Sequence, residues 1–290
     1  MSLITQTLRR YCGAAMSRNY LTPAEVVDYA EQSSLASASM DARRFGLRAV
    51  LGGALLGVGG LLATVVAGGA VGLGETNPGL QKLLFGAVFP LGFIAVVLTG
   101  ADLFTSNCAT FIVSLYRRSI TSWAALRTLT LSFTGNFVGS LLAAAVLGVA
   151  TGIYVAGADA TDYLHQVAGT KLDHTLLETF ARGIGANFLV CIAAWQAYSA
   201  KDTISKMAGI WFPVMAFVAL GMEHSIANMF FIPAALMTGL DATWMDFLVA
   251  NLVPATLGNI VGGGLFVGMA YAWIYPRTPV DEPVETQRSR

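Results

Sequence analysis

Two acid-bearing stretches of the chain match each other and contain the residues best suited to chemistry. Gly100 to Asn107 reads GADLFTSN, and Gly221 to Asn228 reads GMEHSIAN, so in each an acid follows the glycine by two residues and an asparagine follows it by seven. A Phe-Pro pair precedes each stretch, and a Gly-Asn-x-Val-Gly block begins 35 residues after Gly100 and 37 residues after Gly221. Three coincidences in one order predict an internal repeat.

His224 is the most chemically useful residue of these stretches. Imidazole titrates near neutral pH, with a reference pKa of about 6.5, and can offer a proton or a strong hydrogen bond. His165 and His174 are interpreted as solvated histidines of a loop. No cluster of metal ligands is evident, and Cys12, Cys108 and Cys191 show no CxxC spacing, so the sequence predicts no metal, no cofactor and no disulfide framework.

The composition predicts that an all-α integral membrane protein positions these residues. Of the 290 residues, 55% are hydrophobic and 12% are charged, whereas about 25% are charged in an average soluble domain. The zero net charge provides no basic field for nucleic acid. A spanning helix needs roughly 20 mostly apolar residues. Uncharged runs of this kind predict six spans, at about 47–73, 80–116, 122–156, 176–198, 206–237 and 247–275.

Lysine and arginine counts predict the orientation of these spans. The connections on the N-terminal side of the membrane, with both termini, carry 14 of the 17 basic residues, which favours a cytoplasmic location for both termini in a multi-pass protein of the cell (inner) membrane. Arg9, Arg10 and Arg18 are not followed by the long apolar core of a signal peptide. The first span is therefore expected to direct insertion itself.

The chain is predicted to have three regions. Residues 1–45 form a cytoplasmic arm, in which Thr22 and Glu25 read as a capping box that starts an amphipathic surface helix running to about Arg44. Residues 46–276 form the six-span domain. Residues 277–290 form a polar tail that we expect to be disordered.

The repeat divides the six spans into halves of three, so the second half must insert upside down relative to the first. Inverted repeats of this kind place broken helices near the middle of the membrane. Asp102 and Glu223 mark the expected breaks, and a carboxylate at mid-membrane costs ~2.5–3.5 kcal/mol on insertion scales. We therefore expect both acids to hold freed backbone N–H groups at the breaks, as internal caps of the helices that follow.

The same residues carry a resemblance to the formate/nitrite transporter family. It rests on Gly100 to Ser106, GMEHSIANMFFIP from Gly221, ANFLVC from Ala186 and NLVPATLGNIVGGG from Asn251. The resemblance covers about residues 20 to 275. It implies an aquaporin-like fold of two inverted three-helix repeats, a homopentamer of independently conducting protomers, and transport of formate, nitrite, hydrosulfide or lactate.

The resemblance also implies a role for individual residues. His224 would be the central histidine, with Thr105 on the loop of the second span, Asn187 in the fourth span and Glu223 beside the histidine as further pathway residues. Lys171 would attract anions at the outer mouth. Leu103 and Phe104 would form the inner constriction together with Phe93, where relatives often have leucine, and Phe217 would form the outer one.

These expectations predict a channel or transporter for a small monovalent anion, most of all formate, in which a proton shared at His224 lets a nearly neutral species pass the apolar constrictions. An imidazolium that simply attracts the anion is an equal alternative. A neutral-solute channel is disfavoured by the absence of Asn-Pro-Ala at both breaks, and an enzyme by the absence of a nucleophile constellation. The N-terminal helix is expected either to gate the inner mouth or to anchor at the interface.

Overall fold

A computed structural model describes residues 18–277 of the chain, and every regular element in this range is a helix apart from one isolated bridge between Tyr20 and Ala200. Arg9, Arg10, Cys12 and the tail after Arg277 lie outside the described residues. The helices are α1 Pro23–Ser39, α2 Ala42–Gly68, α3 Leu73–Thr76, α4 Pro78–Val88, α5 Pro90–Thr99, α6 Phe104–Tyr116, α7 Ser122–Ala150, α8 Asp159–Leu172, α9 Leu176–Ser199, α10 Thr203–Ala219, α11 Ser225–Met237 and α12 Asp246–Ile274.

The six predicted spans are all present. Helices α2, α7, α9 and α12 are long and apolar enough to cross a membrane, as is the continuous stretch Pro78–Thr99 that α4 and α5 form. Helix α6 completes this second span after a break, and the shorter apolar helices α10 and α11 together make the fifth. The expectation of two broken spans in an aquaporin-like inverted repeat is confirmed.

Each break begins at the glycine that the repeat identified. Helix α5 ends before Gly100, whose φ is 74°, and α10 is followed by Gly221, whose φ is 67°. Both glycines lie in the left-handed region, which a residue with a Cβ adopts only at a cost. The chain then runs extended for a few residues before α6 begins at Phe104 and α11 at Ser225.

Small residues let the spans of each half pack closely, in the same way in both repeats. A Cβ added at Gly139 would overlap the carbonyl oxygen of Val50, and one added at Gly262 would overlap that of Ile184. Helix α7 therefore packs on α2 as α12 packs on α9. Close backbone approach of this kind is how helices gain dispersion energy in lipid, where burial from water contributes little.

Helix α1 confirms the predicted start but not the predicted end. The hydroxyl of Thr22 accepts a bond from the Glu25 N–H, and the Glu25 carboxylate accepts bonds from the N–H and hydroxyl of Thr22, so the capping box is formed. The helix ends at Ser39 rather than near Arg44. Asp41 is the reason, because its carboxylate accepts from the Arg43 N–H at 3.0 Å and so caps a new helix, α2.

Glu31 fixes α1 to the ends of α6 and α12. Its carboxylate accepts bonds from Arg117, at 2.8 Å, and from Arg277 and the hydroxyl of Ser119. Arg117 also donates to the Tyr275 carbonyl at 2.9 Å, so one guanidinium joins three segments. Burial opposes ionisation of Glu31, but the bonds from Arg277, Ser119 and Arg117 outweigh it and lower its pKa to about 2.

Replacing Glu31 with Gln should loosen α1, because the two arginines lose a charged acceptor. Hydrogen bonds to charged groups contribute about 1.5–3 kcal/mol, so we expect deuterium exchange over residues 23–39 to accelerate about tenfold or more at pH 7. Because the folded pKa of Glu31 is depressed, its contribution is complete above the ordinary glutamate pKa and is lost as the pH falls toward about 2. Glu75→Gln, on α3, is the control, and equal exchange in both variants would contradict the anchoring role.

Candidate functional site

One hydrogen bond joins the starts of the two half-helices α6 and α11, which belong to different repeats. Nε2 of His224, the residue before α11, lies 2.9 Å from the hydroxyl oxygen of Thr105 in the first turn of α6. Both residues are almost completely buried, with 1% and 0% of their surfaces exposed. These two residues are 119 positions apart in the chain, and the fold brings them together where both chain breaks end.

The second ring nitrogen of His224 identifies its tautomer. The Ala227 N–H donates to Nδ1 at 3.1 Å, so Nδ1 presents a lone pair and a neutral ring carries its proton on Nε2. This assignment comes from the hydrogen-bond pattern. Nε2–H then donates to Thr105, which leaves the hydroxyl hydrogen of Thr105 free for another acceptor. Protonating Nδ1 would break the contact with Ala227, so this arrangement favours a neutral imidazole over an imidazolium.

Asparagines, not the two acids, cap the half-helices. Oδ1 of Asn136 accepts from the Phe104 N–H at 2.8 Å, and Oδ1 of Asn259 accepts from the Ser225 N–H at 2.8 Å. Each amide group also donates to the carbonyl of the acid at its break, at 2.9 Å in both halves. The expectation that Asp102 and Glu223 cap these helices is therefore wrong, because an amide can pair with both a freed N–H and a freed carbonyl, whereas a carboxylate can only accept.

The two carboxylates instead bind side chains, and their surroundings differ. Asp102 accepts from the amide of Asn107 at 3.0 Å and from the hydroxyl of Ser132, which are neutral groups. Oε2 of Glu223 accepts from the amides of Asn228 at 2.6 Å and Asn251 at 3.0 Å. Its Oε1 contacts a cation, described below. The pseudo-symmetric acids therefore differ in charge balance.

Asn187 lies next to the central contact but is engaged with the backbone. Its amide donates to the carbonyl of Thr105 at 3.0 Å and to that of Asn259 at 2.6 Å. Both hydrogens of the amide are therefore used in this arrangement. Asn187 fixes the first turn of α6 against α12, and Thr105 is left with the freer hydrogen-bond donor.

A cavity of about 350 Å³ leads to His224 from the side of the molecule that carries α8. We call this cavity the vestibule. His224 and Phe217 line its inner end, and their rings stack with centroids 5.5 Å apart and planes inclined by 24°. The vestibule is further lined by Lys82, Phe89, Tyr163, Lys171, His174, Arg182, Glu223 and Phe231.

Lys171 lies inside the vestibule wall and is not a free cation. Its Nζ is 3.2 Å from Oε1 of Glu223 and 3.3 Å from the carbonyl oxygen of Met222. Only 11% of the lysine side chain and none of the glutamate side chain is exposed. An incoming group must therefore compete with Glu223 for the ammonium.

The predicted constriction residues are all buried. Phe217 lies at the floor of the vestibule, and Leu103 and Phe104 occupy the start of α6, with 3% and 5% of their surfaces exposed. Phe104 packs edge-on against Phe133, with centroids 5.0 Å apart. Phe93, on α5, is 2% exposed. Phe217, which stacks on His224, and Leu103 and Phe104, which precede Thr105 in the chain, are thus apolar neighbours of the central bond from both repeats.

Sequence reasoning missed several residues of the site. His165 and His174 are not solvated loop histidines: Nε2 of His165 is 2.9 Å from the hydroxyl of Thr238, and His174 lines the vestibule. The capping role of Asn136 and Asn259 was also missed. Their signal was available, because both occupy the same place in the repeated Gly-Asn-x-Val-Gly block, but one sequence does not say which backbone groups an amide will reach.

The comparisons with known proteins all find similarity to membrane transporters or channels. The model of a family described as "Formate/nitrite transporter" matches residues 24–273. A "Probable formate transporter" of Methanothermobacter thermautotrophicus is 42% identical over 238 residues, which cover 78% of this chain and 86% of that protein. The solved "Pentameric formate channel with formate bound" is 34% identical, with a TM-score of 0.70 over 81% of this chain and 98% of the other. A solved "FNT family ion channel" is 26% identical, with a TM-score of 0.79 over 87% and 99%.

Removing the amide of Asn136 should destabilise the whole fold. In Asn136→Ala the Phe104 N–H and the Asp102 carbonyl lose their partner, and an unsatisfied buried group costs roughly 1–3 kcal/mol. We expect the apparent melting temperature of the detergent-solubilised protein to fall by about 5 °C or more. Asn136→Asp retains the acceptor without the donor and should also destabilise. In the control Ser140→Ala, which removes bonds of 3.2 and 3.4 Å, the temperature should change less. Equal loss in the Asn136 and Ser140 variants would contradict the capping role.

Proposed function

The chain belongs to the formate/nitrite transporter family, and we propose that it carries formate, or a closely similar small monoanion, across the membrane past His224. The observation that carries this proposal is the buried bond between His224 and Thr105, which joins the two half-helices at the end of a vestibule lined by cations. The names of the relatives, a formate transporter and a formate channel, support formate as the substrate.

The apolar side chains near the central bond oppose the passage of a charged species. A bare ion in a dry constriction such as that between Phe217 and Leu103 loses its hydration at a cost of many kcal/mol, which proton binding or strong hydrogen bonding can reduce. Arg182 and Lys82 in the vestibule raise the local concentration of anions, whereas the charge of Lys171 is balanced by Glu223. Formate entering from that side would therefore be attracted first and desolvated second.

Thr105 is the group that we expect to meet the anion at the centre. Because Nε2–H of His224 donates to the Thr105 hydroxyl, this hydroxyl can point its own hydrogen at a carboxylate oxygen. The positive end of the α6 helix dipole lies at the same place and favours negative charge there. His224 would thus act through Thr105, and Asn187 would hold the turn in position.

We infer that proton-coupled transport would require a transient rearrangement of His224. A neutral imidazole with an occupied Nδ1 is a hydrogen-bond donor rather than an acid. Full transfer requires a ring that is protonated on both nitrogens, and this ring must first lose its contact with the Ala227 N–H. The geometry therefore favours a mechanism in which His224 donates a hydrogen bond but keeps its proton. Proton symport is the alternative mechanism.

Nitrite, hydrosulfide and lactate remain alternative substrates, since a hydroxyl donor between apolar rings suits several small monoanions. A neutral-solute channel is less well supported, because the vestibule holds Lys171, Arg182 and His174, which a neutral solute does not need. We further propose a homopentamer embedded in lipid, because the similar solved formate channel is pentameric. The α1 side would face the cytoplasm of the cell (inner) membrane, as the basic residues favour.

Uptake of labelled formate into liposomes should test the substrate and the coupling together. With internal pH 7.5, we expect saturable uptake that rises when the external pH is 5.5 and that falls about tenfold or more in His224→Asn, since the central donor is lost. Adding excess nitrite, lactate or hydrosulfide shows which of these anions competes with formate for uptake. Protein-free liposomes correct for leakage of formic acid through the bilayer. A pH-sensitive dye inside the liposomes reports the entry of protons. Transport of glycerol together with no transport of formate would contradict the proposal that the substrate is an anion.

The hydroxyl of Thr105 should matter specifically. Thr105→Val keeps the shape of the side chain but removes the group between His224 and the anion, so we expect formate uptake to fall about tenfold or more, whereas Thr105→Ser retains most of it. Thr110→Val is the matched control, because Thr110 is a buried threonine of the same helix whose hydroxyl donates to the Asn107 carbonyl at 3.4 Å. Equal uptake by the two valine variants would show that the central hydroxyl is dispensable.

A further inference from the structure

His174 occupies a position in the vestibule that the proposed function does not use. It lies in the turn between α8 and α9, and 15% of its side chain is exposed. Its Nε2 is 3.9 Å from Oε1 of Glu223, the same oxygen that Lys171 contacts at 3.2 Å. One carboxylate oxygen therefore lies between a permanent cation and a group that becomes a cation on protonation.

The carboxylate of Glu223 is fixed in place, and its Oε1 faces both groups. Its other oxygen, Oε2, is held by the amides of Asn228 at 2.6 Å and Asn251 at 3.0 Å, and no part of the side chain is exposed. Oε1 can accept from both groups, as Oε2 does from two amides, but its negative charge is then shared between two cations and attracts each of them less. A movement of about 1 Å would bring the ring of His174 within hydrogen-bond distance.

We propose that His174 is a positioning residue for anion entry: its protonated ring bonds to Oε1 of Glu223, so that this oxygen shares its charge between two cations and holds the ammonium of Lys171 less tightly, which makes the ammonium available to a monoanion in the vestibule. The inference rests on the proposed function in so far as the vestibule is the entrance for the anion. It assigns His174 a role through Lys171 rather than a contact with the substrate.

The charges around His174 determine the direction of the effect. The charged groups that act on it from neighbouring elements are Lys171, Asp173, Glu178, Arg182 and Glu223, and Lys82 lines the same cavity. Among the groups at the inner end, Glu223 balances Lys171 while His174 is neutral. Protonation of His174 adds one positive charge there and weakens the lysine's only carboxylate contact in the described residues, so anion binding strengthens as the pH falls.

The surroundings of His174 set the pH at which its ring becomes protonated. Burial, together with Arg182 and Lys171, lowers the pKa of His174 below its ordinary value, and Glu223 and Glu178 oppose the shift. The lysine should therefore be firmly paired at neutral pH and held less tightly only when the pH falls below the ordinary histidine pKa. A vestibule of this kind would admit more anion when the medium on the α8 side is acidic, independently of any proton that crosses the membrane.

The test compares His174→Gln with the wild-type protein in proteoliposomes, with KM and maximal rate measured between external pH 5 and 7.5. Formate and nitrite are measured in parallel. We expect the wild-type KM to fall several-fold more than that of His174→Gln as the pH is lowered, because glutamine cannot gain charge. His165→Gln is the matched control, since His165 bonds to the Thr238 hydroxyl and should keep the wild-type profile.

Lys171→Gln separates action through the lysine from a general field effect. With Lys171 absent, adding His174→Gln should change the pH dependence of KM much less than it does in the wild-type background, because only the added positive charge of His174 remains to act. A KM profile in His174→Gln that parallels the wild type within about twofold, or a full His174 effect in the Lys171→Gln background, would overturn the inference while leaving formate transport intact. Absence of both formate and nitrite uptake in the wild-type protein would instead overturn the proposed function and this inference with it.

Discussion

Everything at the centre of this molecule depends on satisfying broken backbone inside a membrane. Two helices stop in mid-span, and the N–H and carbonyl groups freed there have no water to bind. Asn136 and Asn259 solve the problem in the same way, each with one acceptor for a helix N–H and two donors for carbonyls. Because these amides sit on α7 and α12, the tight glycine packing of those helices is a condition for the breaks to exist.

The two halves of the inverted repeat have similar backbones, but the charges around their buried acids differ. Asp102 accepts its side-chain hydrogen bonds from neutral donors, whereas the equivalent Glu223 has a lysine and a histidine beside it. The scaffold is therefore symmetric, but the vestibule on the α8 side has an electrostatic character that comes from Lys171 and its neighbours in α8 and α9. A pseudo-symmetric pathway can in this way attract an anion differently from its two sides.

Rigidity and function are separated in this fold. Charged groups fasten the periphery, where Arg117 and Arg277 converge on Glu31, and neutral amides hold the broken backbone of the half-helices in the interior. Neutral groups suit the interior because unpaired charge there is costly. The central bond of His224 with Thr105 follows the same rule, since a neutral ring with an occupied Nδ1 offers a hydrogen bond without a fixed charge.

The sequence by itself determined the class, the six spans and their breaks, and it singled out His224, which lies at the second break. Hydropathy and repeated motifs are properties of neighbouring residues, so one chain suffices to read them. Only the tertiary structure decided that Asn136 caps α6, that Lys171 is paired with Glu223 and that His174 faces the same carboxylate. These partners lie 32, 52 and 49 residues apart, and no local pattern says which of several amides or cations will reach a buried acceptor. The reason is physical: burial and pairing depend on helix packing, which the spacing of residues along one chain does not contain.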